Sequence, residues 1–249
     1  MKDNIQIFQS VKDLADSFAE SLIRDAGIIG ANSFYSIALS GGSTPRAILQ
    51  RIREKYMDDI NWSKVIFFWG DERCVDPSSS ESNFRMADES LFLGTAIPRF
   101  NIQRIEGEQD PIPEAKRYSD LLTRLVPGNN NIPRLDLVML GLGEDGHTAS
   151  VFPYNIHLFD SDKLFELSHH PESGQARITA TGKVINNAKR VCFLVTGPSK
   201  SEKAAQVLQK KTGWQDLPAS RVNPSDGELL WMLDSQAASQ LNYHSAPRH

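Results

Sequence analysis

One stretch of the chain gathers residue types suited to proton transfer. Leu135–Leu140 is a short, mostly apolar run, and Gly141-Leu142-Gly143-Glu144-Asp145-Gly146-His147 follows it at once. A histidine exchanges protons near neutral pH and serves as a general base. Asp145 is close enough in sequence to orient it. Open α/β sheets carry their sites on such turns, at the carboxyl ends of strands. The spacing Gly-x-Gly-x-x-Gly also occurs here, but it makes a poor dinucleotide fingerprint. Two acids inside the loop oppose a pyrophosphate, and Pro153 arrives before a long helix could form. Thr148-Ala149-Ser150 is expected to begin a helix whose positive end faces the site.

A second stretch suits an anion. Phe34–Leu39 reads as a strand and runs into Ser40-Gly41-Gly42-Ser43-Thr44-Pro45. Thr44 can cap a helix and Pro45 suits its first position. Backbone N–H groups exposed at such a loop form an anion cradle. A tight turn into a capped helix needs the same residue types, and the spacing is not that of a P-loop. Asp71-Glu72-Arg73 follows the apolar run Val65–Trp69, as a surface ion cluster or as part of a site. Lys200, on the turn after Val191–Thr196, is a candidate point charge for a phosphate, whereas Arg177 alone is uninformative. His169-His170 lacks the spacing and acidic partners of a zinc site, and no metal is expected.

The elements that must position these residues alternate along the chain. Ile5–Phe8 reads as a strand. Ser10 then caps a helix that carries Leu14, Phe18, Leu22 and Ile23 on one face. Further helices follow Thr44, Ser82-Asn83 and Asp110-Pro111, and one follows Lys200. Further strands are expected at Asn101–Ile105, Arg177–Thr181 and Leu229–Leu233, with a short helix after Asp234. Tyr154–Glu166 is mixed in character, and Ser168–Gln175 reads as a loop. The alternation predicts an α/β fold with a mostly parallel sheet and helices on both faces. One domain over 1–241 and a loose tail over 242–249 are expected.

Composition narrows the function class. The chain has 249 residues, 40% hydrophobic and 23% charged, with a formal net charge of −4. That balance speaks against a nucleic-acid or membrane-surface partner, which usually requires a basic face. Cys74 and Cys192 do not make a disulfide framework, as suits a reduced cytoplasmic protein. The amino terminus lacks a signal-peptide core, and no apolar run is long enough to span a bilayer.

Taken together and in this order, several stretches resemble the 6-phosphogluconolactonases. They are Ser40–Pro45, Gly70-Asp71-Glu72-Arg73, Gly141 through Pro153, and the Gly197–Lys200 turn. These lactonases act in the pentose phosphate pathway and are relatives of the glucosamine-6-phosphate deaminases. Arg177-Ile178-Thr179 and Gly227-Glu228-Leu229-Leu230-Trp231 extend the likeness over nearly the whole chain. The resemblance implies a Rossmann-like α/β fold, no required cofactor, and hydrolysis of 6-phospho-D-glucono-1,5-lactone to 6-phosphogluconate. It implies that Ser40, Gly41, Gly42, Ser43, Thr44, Arg177 and Lys200 hold the substrate phosphate. Asp71, Arg73, Asp145 and His147 would then surround the lactone, with Arg73 either stabilising an oxyanion or holding Asp71.

A water activated by His147 is the expected nucleophile. A covalent serine route is disfavoured because Ser43 and Ser150 have no evident base partner in the sequence. Deaminases that resemble this chain carry tyrosine after Asp-Glu and a glutamate five residues past the histidine. Here those positions are Arg73 and Phe152, which fits a lactonase. A deaminase or isomerase is the alternative enzyme. A non-catalytic sugar-phosphate sensor is the alternative of another class, but such sensors usually carry a basic DNA-binding helix pair, which is not seen here. The expected partner is a small sugar-phosphate lactone, without nucleic acid or membrane, acting on a monomer or weak homodimer.

Overall fold

The computed structural model describes residues 4–30, 33–130 and 132–242. In chain order the main elements begin with β1 (Asn4–Phe8), α1 (Val11–Gly27), β2 (Tyr35–Leu39), α2 (Ser43–Lys55), β3 (Val65–Trp69) and β4 (Asp71–Arg73). Next come α3 (Asn83–Ala87), α4 (Pro111–Leu125), the short strands β5 (Gly128–Asn129) and β6 (Ile132–Pro133), and β7 (Leu137–Leu140). The chain continues with β8 (Phe165–His169), β9 (Ala176–Ala180), α5 (Gly182–Ile185), β10 (Arg190–Val195), α6 (Ser201–Leu208) and β11 (Glu228–Asp234).

Six strands form a wholly parallel sheet in the order β1-β11-β10-β7-β2-β3, flanked by helices. Every residue of β2, β3 and β7 is buried. Strands covered on both faces read as continuous apolar runs, which is why these three were legible. The chain goes from β2 outward to β3, whereas β10 and β11 build out from the other side of β7. The order therefore reverses between β2 and β7. A crevice opens at the carboxyl ends of strands at such a reversal.

The chain leaves this sheet at Gly70. Its N–H donates to Leu39 O at 2.9 Å and its carbonyl accepts from Ala180 N at 2.7 Å. Beyond it, β4 joins a separate antiparallel sheet, β4-β9-β8, in which Arg73 lies opposite Arg177. Strand β8, Phe-Glu-Leu-Ser-His, overlaps the expected loop at 168–175. Its polar residues hide it until β9 lies alongside. The Tyr118 hydroxyl of α4 accepts from Trp69 N at 2.8 Å and donates to Gln103 O at 2.9 Å, tying that helix to the end of β3.

Other local expectations are corrected. Gly42, not Thr44, is the cap residue of α2; with its φ of 106° the chain turns two residues early, and no side chain caps the helix. Thr44 Oγ1 lies instead 2.6 Å from Thr196 Oγ1. Asn101–Ile105 is not a strand: Arg99–Asn101 forms a 3-10 turn, and only Ile102 bridges to Phe67. Turns rather than a helix follow Asp234, whose carboxylate accepts from Gly197 N and Ala237 N. The expected loose tail lies, past Asn242, outside the described residues. Among the described residues, no helix is long and apolar enough to cross a membrane.

Candidate active site

The turn after β7 is closed by its own backbone. Gly143 N donates to His147 O at 2.8 Å, and Gly146 N to Gly143 O at 3.1 Å. Asp145 Oδ1 accepts from His147 N at 3.0 Å and lies 2.6 Å from Nδ1 of the same ring. Partial burial alone would raise the Asp145 carboxyl. The hydrogen bonds from the His147 ring and backbone outweigh it and hold the group at about 2. An ionised carboxylate can only accept, so Nδ1 carries the proton of this contact, and the ring's other nitrogen, Nε2, is not engaged by Asp145.

No helix begins after His147, contrary to the sequence expectation. Thr148 and Val151 pair across a tight reversal, with Ala149 at φ 50°. Ser150 forces this path, because its polar groups are bonded to other elements. Its N–H donates to Thr179 Oγ1 at 3.1 Å, its carbonyl accepts from Ser168 Oγ at 2.6 Å, and its hydroxyl donates to Asp71 Oδ2 at 2.6 Å. No helix dipole therefore starts beside the His147 ring.

Asp71 is held by Ser150 and by Asn83. Asn83 Nδ2 donates to Asp71 O at 2.9 Å and faces Asp71 Oδ1 at 3.5 Å. Glu72 is buried and anchors α3 beneath it. Its carboxylate accepts from Arg73 N, Asn83 N, Phe84 N and Ser82 Oγ. Arg73 does not ion-pair with Asp71 among the described residues: its Nη1 donates to Glu81 O, and its buried Nε has no partner. Burial pushes the Cys74 thiol up to about 11, so it is protonated at neutral pH.

One pocket collects the expected residues. It is lined by Ser40, Gly41, Gly42, Ser43 and Thr44 at the start of α2, by Asp71 and Arg73, and by His147, Arg177 and Lys200. Asp145 stands behind the His147 ring rather than in the wall. The first turn of α2 contains no acid, so its free N–H groups and dipole favour an anion. Burial lowers the Arg177 pKa, Asp71 opposes the shift, and Arg73 adds to it. Arg177 Nη1 lies 3.4 Å from Ser150 Oγ, and its guanidinium sits over the Phe152 ring at 5.7 Å. Phe152 also packs against His147, with ring centroids 4.7 Å apart. Among the described residues, no group of three or more His, Cys, Asp or Glu side chains is placed to hold a metal ion.

Among the wall residues that were not expected as site residues are Asn83, Ala149 and Thr196. Asn83 carries no sequence signal of its own. A Cβ at Gly41 would lie 1.8 Å from Asn83 Oδ1, so that glycine leaves room for the Asn83 side chain. Thr196 closes an apolar strand, which is the one hint that it reaches the crevice.

A family model described as glucosamine-6-phosphate isomerases/6-phosphogluconolactonase matches residues 9–231. A protein of Haemophilus influenzae named 6-phosphogluconolactonase is 40% identical over 206 residues, covering 82% of this chain and 87% of its own. The solved structure of 6-phosphogluconolactonase from Trypanosoma brucei superposes with a TM-score of 0.85 at 26% identity, covering 96% of this chain and 99% of its own. A monomeric glucosamine-6-phosphate deaminase shares the fold, with a TM-score of 0.77 at 18% identity, covering 95% and 99% of the two chains.

Proposed function

The chain belongs to the 6-phosphogluconolactonases of the glucosamine-6-phosphate isomerase/6-phosphogluconolactonase family, and from that premise we propose that it hydrolyses 6-phospho-D-glucono-1,5-lactone to 6-phosphogluconate with water activated by His147. The observation that carries this reading is one pocket with a base at one side and an anion cradle at the other. Nε2 of the Asp145-held ring shares that pocket with the amino terminus of α2 and with Arg177 and Lys200.

The substrate phosphate binds the N–H groups of the Ser40–Thr44 loop, with Arg177 and Lys200 supplying charge. Anchoring that end makes attack at the far carbonyl effectively intramolecular. Nε2 takes a proton from water as its oxygen bonds to C1. Arg73 stabilises the oxyanion that forms. The C1–O5 bond then breaks, O5 takes the proton back from His147, and the new carboxylic acid ionises. General base catalysis of this kind is worth about 10²–10⁴-fold.

No covalent intermediate is invoked. Ser150 has a carboxylate partner after all, but it is fully buried and its hydroxyl is spent on Asp71. Acid release from freshly made phosphogluconolactone, measured above spontaneous hydrolysis, tests the reading. Release of ammonia from glucosamine 6-phosphate, without acid release from the lactone, would replace it with the deaminase. Binding of 6-phosphogluconate with neither reaction would replace it with the sensor.

A further inference from the structure

Arg73, Arg177 and Lys200 line the pocket, and only one of them is paired. Neither arginine makes an ion pair among the described residues, whereas Lys200 Nζ lies 3.4 Å from Glu144 Oε1. Glu144 is outside the pocket wall and 69% exposed in its side chain. It reaches from the His147 turn to the Pro198–Lys200 turn, where Ser199 is also a hydrogen-bond partner. These contacts, Ser199 first and then Lys200, hold its carboxyl below the usual range. Nothing in the fold requires the pair, since the Gly197 turn is already anchored on Asp234.

We propose that Glu144 is a positioning residue that stands in for the substrate phosphate: it holds Lys200 at the pocket while the site is empty and yields it when a dianion arrives. This rests on the reading that Lys200 meets the phosphate. A phosphate dianion brings more charge and more acceptor oxygens than one carboxylate, so it wins Lys200. A sugar without a phosphate brings neither and leaves the pair closed. Glu144 therefore acts as an internal competitor that lowers the apparent affinity for every anion at this end. Because the pair is exposed, the competition is weak, and its removal should tighten anion binding about two- to fivefold.

The test compares the wild type with Glu144→Gln, Lys200→Met and the double variant. Calorimetric titration with inorganic phosphate is read beside kcat and KM for the lactone. Glu144→Gln should bind phosphate about two- to fivefold more tightly and lower KM by a similar factor with kcat unchanged. In the Lys200→Met background the same change should do nothing. Unchanged or weaker phosphate binding in Glu144→Gln overturns the proposal. So does a gain that persists without Lys200, because Glu144 would then repel anions generally. Wild-type phosphate affinity in Lys200→Met is a separate failure: it removes Lys200 from the phosphate site, and the proposal falls with that reading.

Discussion

Asp145 grips His147 at two points, the ring Nδ1 at 2.6 Å and the backbone N–H at 3.0 Å, through a single oxygen. One carboxylate oxygen thus fixes both the turn and the tautomer. The ring cannot rotate to offer Nδ1 to the pocket without breaking that contact.

Removing the base and removing its orienter should therefore differ in degree. His147→Ala is expected to lower kcat for the lactone by about 10²–10⁴-fold with little change in KM. Asp145→Asn should cost at least about tenfold in kcat and less than the alanine variant, because the amide can also donate and so admits the wrong tautomer. Steady-state kinetics on both variants, with spontaneous hydrolysis subtracted, checks the order.

The same pair sets a pH dependence of stability. The Asp145 carboxyl titrates at about 2 in the fold, against an ordinary value of 3.8. The folded state holds this proton less tightly than the unfolded chain. Its stabilisation is thus complete above about pH 4 and is lost as pH falls through about 2. Asp145→Asn should unfold at lower urea concentration than the wild type at pH 7. The gap between the two midpoints should shrink steadily from about pH 4 to about pH 2. A gap that stays constant over that range would assign the stabilisation to something other than the charge.

Asp145 and His147 were legible in the sequence because their relationship is local: two residues apart, on a turn behind an apolar strand. The Ser40–Thr44 turn from strand to helix was legible for the same reason. The tie between Ser150 and Asp71 spans 79 residues and exists only once β4, β9 and the His147 turn have packed together. No periodicity reports it. Thr148-Ala149-Ser150 has nothing against a helix in its residue types, and the tertiary bonds of Ser150 override that preference. Strand β8 was missed because its partner, β9, supplies the order that its own polar residues do not announce.

Ser150→Ala separates support from chemistry. It removes a buried hydrogen bond to a carboxylate and leaves Asp71 Oδ2 facing a methyl group. The expected cost is about 1.5–3 kcal/mol of stability, read from denaturant midpoints. Turnover should fall, because Asp71 and Arg177 both lose a contact, but it should remain well above the uncatalysed rate. Loss as deep as that of His147→Ala in a variant that still folds would reopen the serine route.

Gly143 tests how closely the ring must be placed. Its backbone passes so near His147 that an added Cβ would sit 2.1 Å from Nδ1, 2.4 Å from Cε1 and 2.6 Å from Asp145 Oδ1. Its φ is not in the left-handed region, so alanine meets no backbone penalty there and acts through this clash alone. Gly143→Ala must push the ring away from the pocket or break its bond to Asp145. A displacement of about 1 Å can cost about 10²-fold in rate. The variant should therefore lose about that much kcat while KM, set mainly at the phosphate end, stays within a few-fold. Adding Asp145→Asn should then cost little more, because both changes undo the same contact and their effects are not additive. Full additivity in the double variant would mean that Gly143 serves the site by some route other than the His147 ring.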